Sequence, residues 1–163
     1  MVHELAEYER APDECRLTAG QLHAALFGEN PALFGHVAVD ADDRPVGFAL
    51  WFLNFSTWQG VHGIYLEDLY VRPDARATGL GRRLLAALAA LCVERGYARL
   101  EWWVLHWNPA REFYHRLGAT AMDEWIPYRL SGSPLTALAT EADIRGITGP
   151  AITSPDQAAL GHT

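Results

Sequence analysis

Apolar and polar positions recur along this chain with two periods, and the switches between them mark its elements. Leu5 and Tyr8 fall on one helical face, so His3 to Tyr8 reads as the end of a helix. Ala11 to Arg16 is a polar, proline-bearing connection. Thr18 is an N-cap with Gln21 three residues on as its capping-box partner. The helix it opens carries Leu22, Leu26 and Phe27, and Gly28-Glu-Asn-Pro31 stops it. The period then falls to two. His36 to Val39 and Val46 to Phe55 read as strands joined by the turn cluster Asp40 to Pro45, an antiparallel hairpin. Ser56 to Gly63 is a loop carrying Trp58, and Ile64 to Val71 is the next strand. Leu80 to Arg95 is the clearest helix, with Leu80, Leu84, Leu88, Leu91 and Cys92 on one face and Gly96 as its stop. Arg99 to Leu105 reads as a strand. Pro109 sits at the first position of a short helix through Arg116, where its missing N–H is harmless. Ala119 to Met122 and Ile126 to Leu130 read as the last strands. Pro134 to Asp143 suits a helix, and Thr148 to Thr163 is expected to be loosely held. The expected division is a main domain over 1–132 and a C-terminal helix and tail over 133–163.

Composition narrows the class. The 163 residues are 50% hydrophobic and 20% charged, which suits one globular domain with a core. No apolar run approaches the ~20 residues of a membrane span. The N-terminus lacks the basic and apolar parts of a secretory signal, so the cytoplasm is the expected compartment. The formal charge of −7 speaks against a nucleic-acid partner and suits a cationic one, although it is equally explained by solubility. All 13 basic residues are arginine, which reads as codon bias. The two cysteines form no Cys-x-x-Cys pair and the seven histidines lack ligand spacing, so neither disulfide nor metal is expected. Cys92, in an apolar helical run, reads as a buried thiol.

Chemistry concentrates in Arg76-Ala-Thr-Gly-Leu-Gly-Arg-Arg83, directly after the strand ending at Val71. A strand end, a glycine-bearing turn and a helix N-terminus together present backbone N–H groups to an anion. Taken alone the motif also reads as a tight turn. It lacks the lysine and serine or threonine of a P-loop, and its spacing is not that of the dinucleotide fingerprint.

Arg76-x-x-Gly-x-Gly81 resembles the pyrophosphate-binding motif of the GCN5-related N-acetyltransferases. Asn108, the Phe113-Tyr114 pair and the closing Gly118-Ala119 resemble that family's later motif. More narrowly, Glu4-Leu-Ala-Glu-Tyr8, Phe27-Gly-Glu-Asn-Pro31, Trp58, Tyr65-Leu-Glu-Asp68 and Trp107-Asn108 are similar to the diamine and thialysine acetyltransferase branch. The resemblance covers roughly residues 3 to 130. It implies an α/β (α+β) fold with a mixed, mostly antiparallel sheet flanked by helices. It also implies a first strand and most of a helix ahead of Glu4, which this sequence lacks. That strand would pair with His36–Val39, so the lack of it implies an exposed edge.

The implied reaction is direct acetyl transfer from acetyl-CoA to the primary amine of a small polyamine or lysine-like substrate, with no metal. Backbone groups of Leu69 and Val71 would pair with the pantetheine arm, and a backbone N–H near Tyr70 would polarise the thioester carbonyl. Arg76, Ala77, Thr78, Gly79, Leu80, Gly81 and Arg82 would hold the pyrophosphate. Asn108 would bind the pantetheine and Arg116 a phosphate. Tyr114 would be the general acid, since a phenol of pKa ~10 can protonate a thiolate of pKa ~8.5; its other reading is a core aromatic beside Phe113. Glu67 would act at the amine as a base through water, and Asp68 near the cationic tail; otherwise they are one solvated acid and one ion-paired acid. Asp123 and Trp125 would come across a homodimer interface. Trp58 would stack on the alkyl-ammonium chain or else close the core. His106 replaces an acid of the diamine branch, which points toward a different amine. An amino-acid, antibiotic or protein N-terminal acetyltransferase, and a catalytically idle acyl-CoA-binding module, are the competing readings.

Overall fold

The computed structural model describes residues 1–142 and 149. They fall into two compact units, Met1–Leu105 and His106–Thr163. The first contains α1 (Val2–Tyr8), α2 (Ala19–Phe27), β1 (Phe34–Val39), β2 (Pro45–Ser56), β3 (Val61–Val71), α3 (Leu80–Arg95) and β4 (Leu100–Glu101). The strands form one sheet in the order β1-β2-β3-β4. β1, β2 and β3 are antiparallel neighbours and β4 joins β3 in parallel, so the sheet is mixed and mostly antiparallel.

Local chemistry accounts for the element ends. Thr18 and Gln21 form the full capping box: the Gln21 N–H donates to Thr18 Oγ1 at 3.2 Å and the Thr18 N–H donates to Gln21 Oε1 at 2.9 Å. In the β1–β2 turn, Asp40 Oδ1 accepts the N–H groups of Asp42 and Arg44 at 2.9 and 3.0 Å. Those backbone bonds hold the Asp40 carboxyl below its ordinary range. α3 ends at Gly96 in the left-handed conformation.

The two sheet faces are covered differently. Phe48, Leu50 and Tyr70 are buried under Leu5 of α1, with Val2, Tyr8, Leu22 and Leu26 packed around them. On the opposite face Ala49, Trp51, Ile64 and Leu66 are buried, and α3 contributes Leu84, Leu85, Leu88 and Cys92. The buried stripe of α3 thus passes through Leu85 rather than the expected Leu91. Cys92 is a buried thiol, and burial raises its pKa. The indole N–H of Trp51 donates to His36 Nδ1 at 3.1 Å, which satisfies a polar atom in the core.

Several expected strands change. The loop before β3 shrinks, because the hairpin ladder continues to Ser56↔Val61. Arg99–Leu105 is a strand only over Leu100–Glu101, since pairing with β3 stops after Tyr65↔Glu101. Among the described residues Ala119–Met122 and Ile126–Leu130 are not strands. Their apolar content suits a strand, but a strand needs a ladder partner and the sheet ends at β4.

The second unit holds α4 (Ala110–Arg116) and α5 (Gly132–Ala139). α5 starts two residues before the expected Pro134 and stops before Asp143, which lies outside the described residues, as does Thr148–Thr163 except Gly149. Among the described residues no helix is long and apolar enough to cross a membrane.

Candidate active site

β3 leads into the loop Arg76–Gly79, which with the start of α3 forms a backbone cradle. Arg72 donates its N–H to the Val46 carbonyl at 2.9 Å, so its backbone faces β2. Alternation turns Tyr70 the same way and points the backbone groups of Leu69 and Val71 toward the other edge. Along that edge β4 accompanies β3 only at Ile64 and Tyr65, so from Leu66 to Val71 no strand lies against it among the described residues. The outward amides are therefore those on either side of Tyr70, not its own.

After Val71 a single 3₁₀ turn, Pro73–Ala75, swings the chain into the loop. Ala77 and Gly79 both take left-handed conformations, with φ of 62° and 83°. That backbone is ordinary for glycine and costs alanine about 1 kcal/mol or more. α3 begins at Leu80, and its first internal bond runs from the Arg83 N–H to the Gly79 carbonyl at 3.0 Å. The amides of Leu80, Gly81 and Arg82 therefore have no acceptor within the helix. Nothing stands within 4 Å of where a Gly79 Cβ would be, so the mouth of the cradle is open. Thr78 closes the loop by donating its hydroxyl to the Ala75 carbonyl at 2.8 Å.

The arginines around the loop brace it. Arg76 Nε donates to the Val71 carbonyl at 2.9 Å, and its guanidinium lies 4.8 Å from the Tyr8 ring centroid and 5.7 Å from that of Tyr70. Arg72 grips Glu4 with two bonds, of 3.1 and 2.9 Å, and so ties α1 to the end of β3. That pairing holds the Glu4 carboxyl below its usual range. A hollow of 560 Å³ flanks the loop beside Thr78 and Arg83, but Asp40 and Asp74 on its wall make it unsuited to phosphate.

Glu67 and Asp68 sit at a β-bulge. Leu50 pairs with Asp68 and Trp51 with Leu66, so Glu67 is the extra residue of β3. The bulge places Asp68 on the face of Leu50 and Tyr70, half-buried, and leaves Glu67 exposed. Burial pushes the Asp68 carboxyl up to about 6, with Glu67 and Glu9 adding like charge.

Trp58 is 90% exposed in the β2–β3 turn, about 20 Å of strand from Glu67. Asn108, Tyr114, Arg116, Asp123 and Trp125 belong to the second unit. Asn108 Oδ1 accepts the Ala110 N–H at 2.9 Å, a local turn just ahead of α4, whose N-cap position is Pro109. Tyr114 is half-buried with its ring 5.3 Å from that of Phe113, and Arg116 lies exposed on the last turn of α4. Asp123 and Trp125 are exposed in a turn where the Trp125 N–H donates to the Met122 carbonyl. Among the described residues no group of three or more His, Cys, Asp or Glu could hold a metal.

Sequence reasoning missed the bulge, the Glu4–Arg72 tie and a polar cluster of Asn54, Arg99 and Glu101. No local signal marks the last, because its residues meet only through the register of β2, β3 and β4.

A family model described as the acetyltransferase (GNAT) family matches residues 2–119. A thialysine N-epsilon-acetyltransferase of Bos taurus is 35% identical over 150 residues, covering 85% of this chain and 88% of the relative. That of Caenorhabditis elegans is 37% identical over 145 residues, with 86% and 88% covered. An integron cassette protein from the mobile metagenome of V. cholerae has a similar structure, with a TM-score of 0.70, 30% identity and 83% and 85% of the two chains covered.

Proposed function

We propose, from the premise that the chain belongs to the acetyltransferase (GNAT) family and is an N-acetyltransferase, that it transfers an acetyl group from acetyl-CoA directly to the primary amine of a lysine-like substrate or small polyamine. The observation that carries this is the continuity of three features on one strand. β3 presents two carboxylates at a bulge, then outward amides at Leu69 and Val71, then the loop of left-handed backbone that opens α3.

Acetyl-CoA, when bound, supplies an activated acetyl thioester. The amides of Ala77 to Arg82 hold its pyrophosphate, and the outward backbone of Leu69 and Val71 receives the pantetheine arm as an added strand would. One of those amides polarises the carbonyl, a fixed dipole aimed at developing negative charge. Glu67, exposed beside this edge, takes the amine's proton through water. Tyr114 gives a proton to the leaving thiolate, Asn108 binds the pantetheine, and Arg116 meets a phosphate. Asp123 and Trp125 act across the interface of a homodimer. The two named relatives acetylate thialysine by their names, and the replacement at His106 favours a lysine-like amine over a polyamine.

Calorimetric titration with acetyl-CoA tests the cradle. Gly79→Val forces a branched residue into left-handed backbone and fills the open mouth, and affinity is expected to drop at least about 100-fold. Unchanged affinity removes the loop from the site. In the same preparation Tyr114→Phe keeps its affinity and loses about 100-fold in kcat.

A further inference from the structure

α1 and α2 cover only part of their sheet face. Beneath them lie Phe48 beside Tyr70 and Leu50 beside Asp68. The same face continues past them as Phe52 beside Tyr65 and then Asn54 beside Gly63. Tyr65 pairs with Glu101 on β4, so alternation sets Arg99, Glu101 and Trp103 on this face too. Phe52 and Tyr65 stack with centroids 4.9 Å apart, and Trp103 meets Tyr65 edge-on at 6.1 Å. Three rings therefore form a shelf that starts at the carboxylates of the bulge.

The far end of the shelf is an ion pair. Arg99 Nε lies 2.8 Å from Glu101 Oε2, and that oxygen also accepts Asn54 Nδ2 at 2.7 Å. Gly63 leaves the room for this cluster: a Cβ there would stand 2.6 Å from Asn54 Oδ1 and 2.7 Å from Arg99 Cγ. The pair meets by distance through one carboxylate oxygen and Arg99 Nε, which makes no hydrogen bond of its own among the described residues. Among the described residues no partner takes the terminal nitrogens of Arg99 or Glu101 Oε1. A cation and an anion thus sit side by side, each with hydrogen-bonding capacity left over, and both are half-buried.

We propose that this shelf seats the acceptor and that the Arg99–Glu101 pair reads the zwitterionic head of an α-amino acid. Arg99 takes the α-carboxylate and Glu101 the α-ammonium. Phe52, Tyr65 and Trp103 line the alkyl or thioether chain, whose terminal amine reaches Glu67. The proposal rests on the reading above that the amine is acetylated beside the bulge. Spacing supports it: the rows of Asp68 and Glu101 are two residues apart along β2, about 7 Å, and the row of Arg99 is about 13 Å away. A four-atom chain between head and amine fits the nearer distance. A diamine is cationic at both ends, so it sets an ammonium against Arg99 and leaves that guanidinium without its anion.

The test compares kcat/KM of the full chain for L-lysine and cadaverine, which differ by the α-carboxylate alone. L-lysine is expected to lead by about tenfold or more, with the difference in KM. Arg99→Gln should bring the two within about twofold, through a higher KM for L-lysine. Cadaverine used as well as or better than L-lysine by the wild type overturns the proposal and leaves the acetyltransferase site standing. That comparison needs no variant, so it decides even if Arg99→Gln does not fold. Turnover with neither amine, nor with any other primary amine, overturns both readings.

Discussion

At the scale of single residues, Asp68 is an acid that the fold holds in a place unfavourable to its charge. Its carboxyl is half-buried against Leu50, with Glu67 and Glu9 as like charges, and is pushed up to about 6. An unfolded chain releases that proton near pH 4. Between those values the folded state binds more protons, so stability falls as pH rises from about 4 to about 6 and stays reduced above it. Asp68→Asn should remove this slope and add up to about 3 kcal/mol at pH 7. Urea unfolding across that pH range checks it; equal slopes in variant and wild type would assign the pH dependence to another group.

At the scale of elements, α3 is the most firmly specified piece. Leu88 is fully buried on it, between sheet and helix, and Leu88→Ala should lower stability by about 2 to 5 kcal/mol through lost burial and the cavity left behind. The midpoint of denaturant unfolding measures this, and a loss under ~1 kcal/mol would mean the helix does not carry the core. Elements of this kind were legible in the sequence because their signals are local. The Thr18–Gln21 box, the leucine stripe and its glycine stop, and the Asp40–Pro45 turn each lie within a few residues. The bulge at Glu67 was not legible, because it belongs to the pairing of two strands and leaves no mark in either one. It inverts the faces downstream: Leu66 and Tyr70 would share a face in a regular strand, yet they are buried on opposite ones. For the same reason the lengths of β4 and of the segments around Asp123 were overestimated, since propensity promises a strand and only a partner makes one. β1 is the sheet edge among the described residues and leaves Val37 and Val39 exposed at 60% and 46%.

At the scale of the whole molecule, the residues named for the reaction divide between two units. Met1–Leu105 contains the cradle, the outward amides, the carboxylates and the aromatic shelf, and His106–Thr163 contains Asn108, Tyr114 and Arg116. The loop proposed for the donor was legible in the sequence as a turn that opens a helix, because glycine spacing at a strand-to-helix joint is a local constraint on backbone shape. The acceptor side was legible only as isolated acids. Phe52 and Asn54 on β2, Tyr65 on β3, and Glu101 on β4 with Arg99 just ahead of it share a face only once the register is set. The central claim is that this chain moves an acetyl group from acetyl-CoA to a free amine without any other protein. The most direct measurement is thiol release by the purified full chain given acetyl-CoA, with and without S-(2-aminoethyl)-L-cysteine. The account predicts release that depends on the amine, saturates with it, and is matched mole for mole by acetylated product. Acetyl-CoA binding with no release above the amine-free rate, for this or any other primary amine, would contradict it.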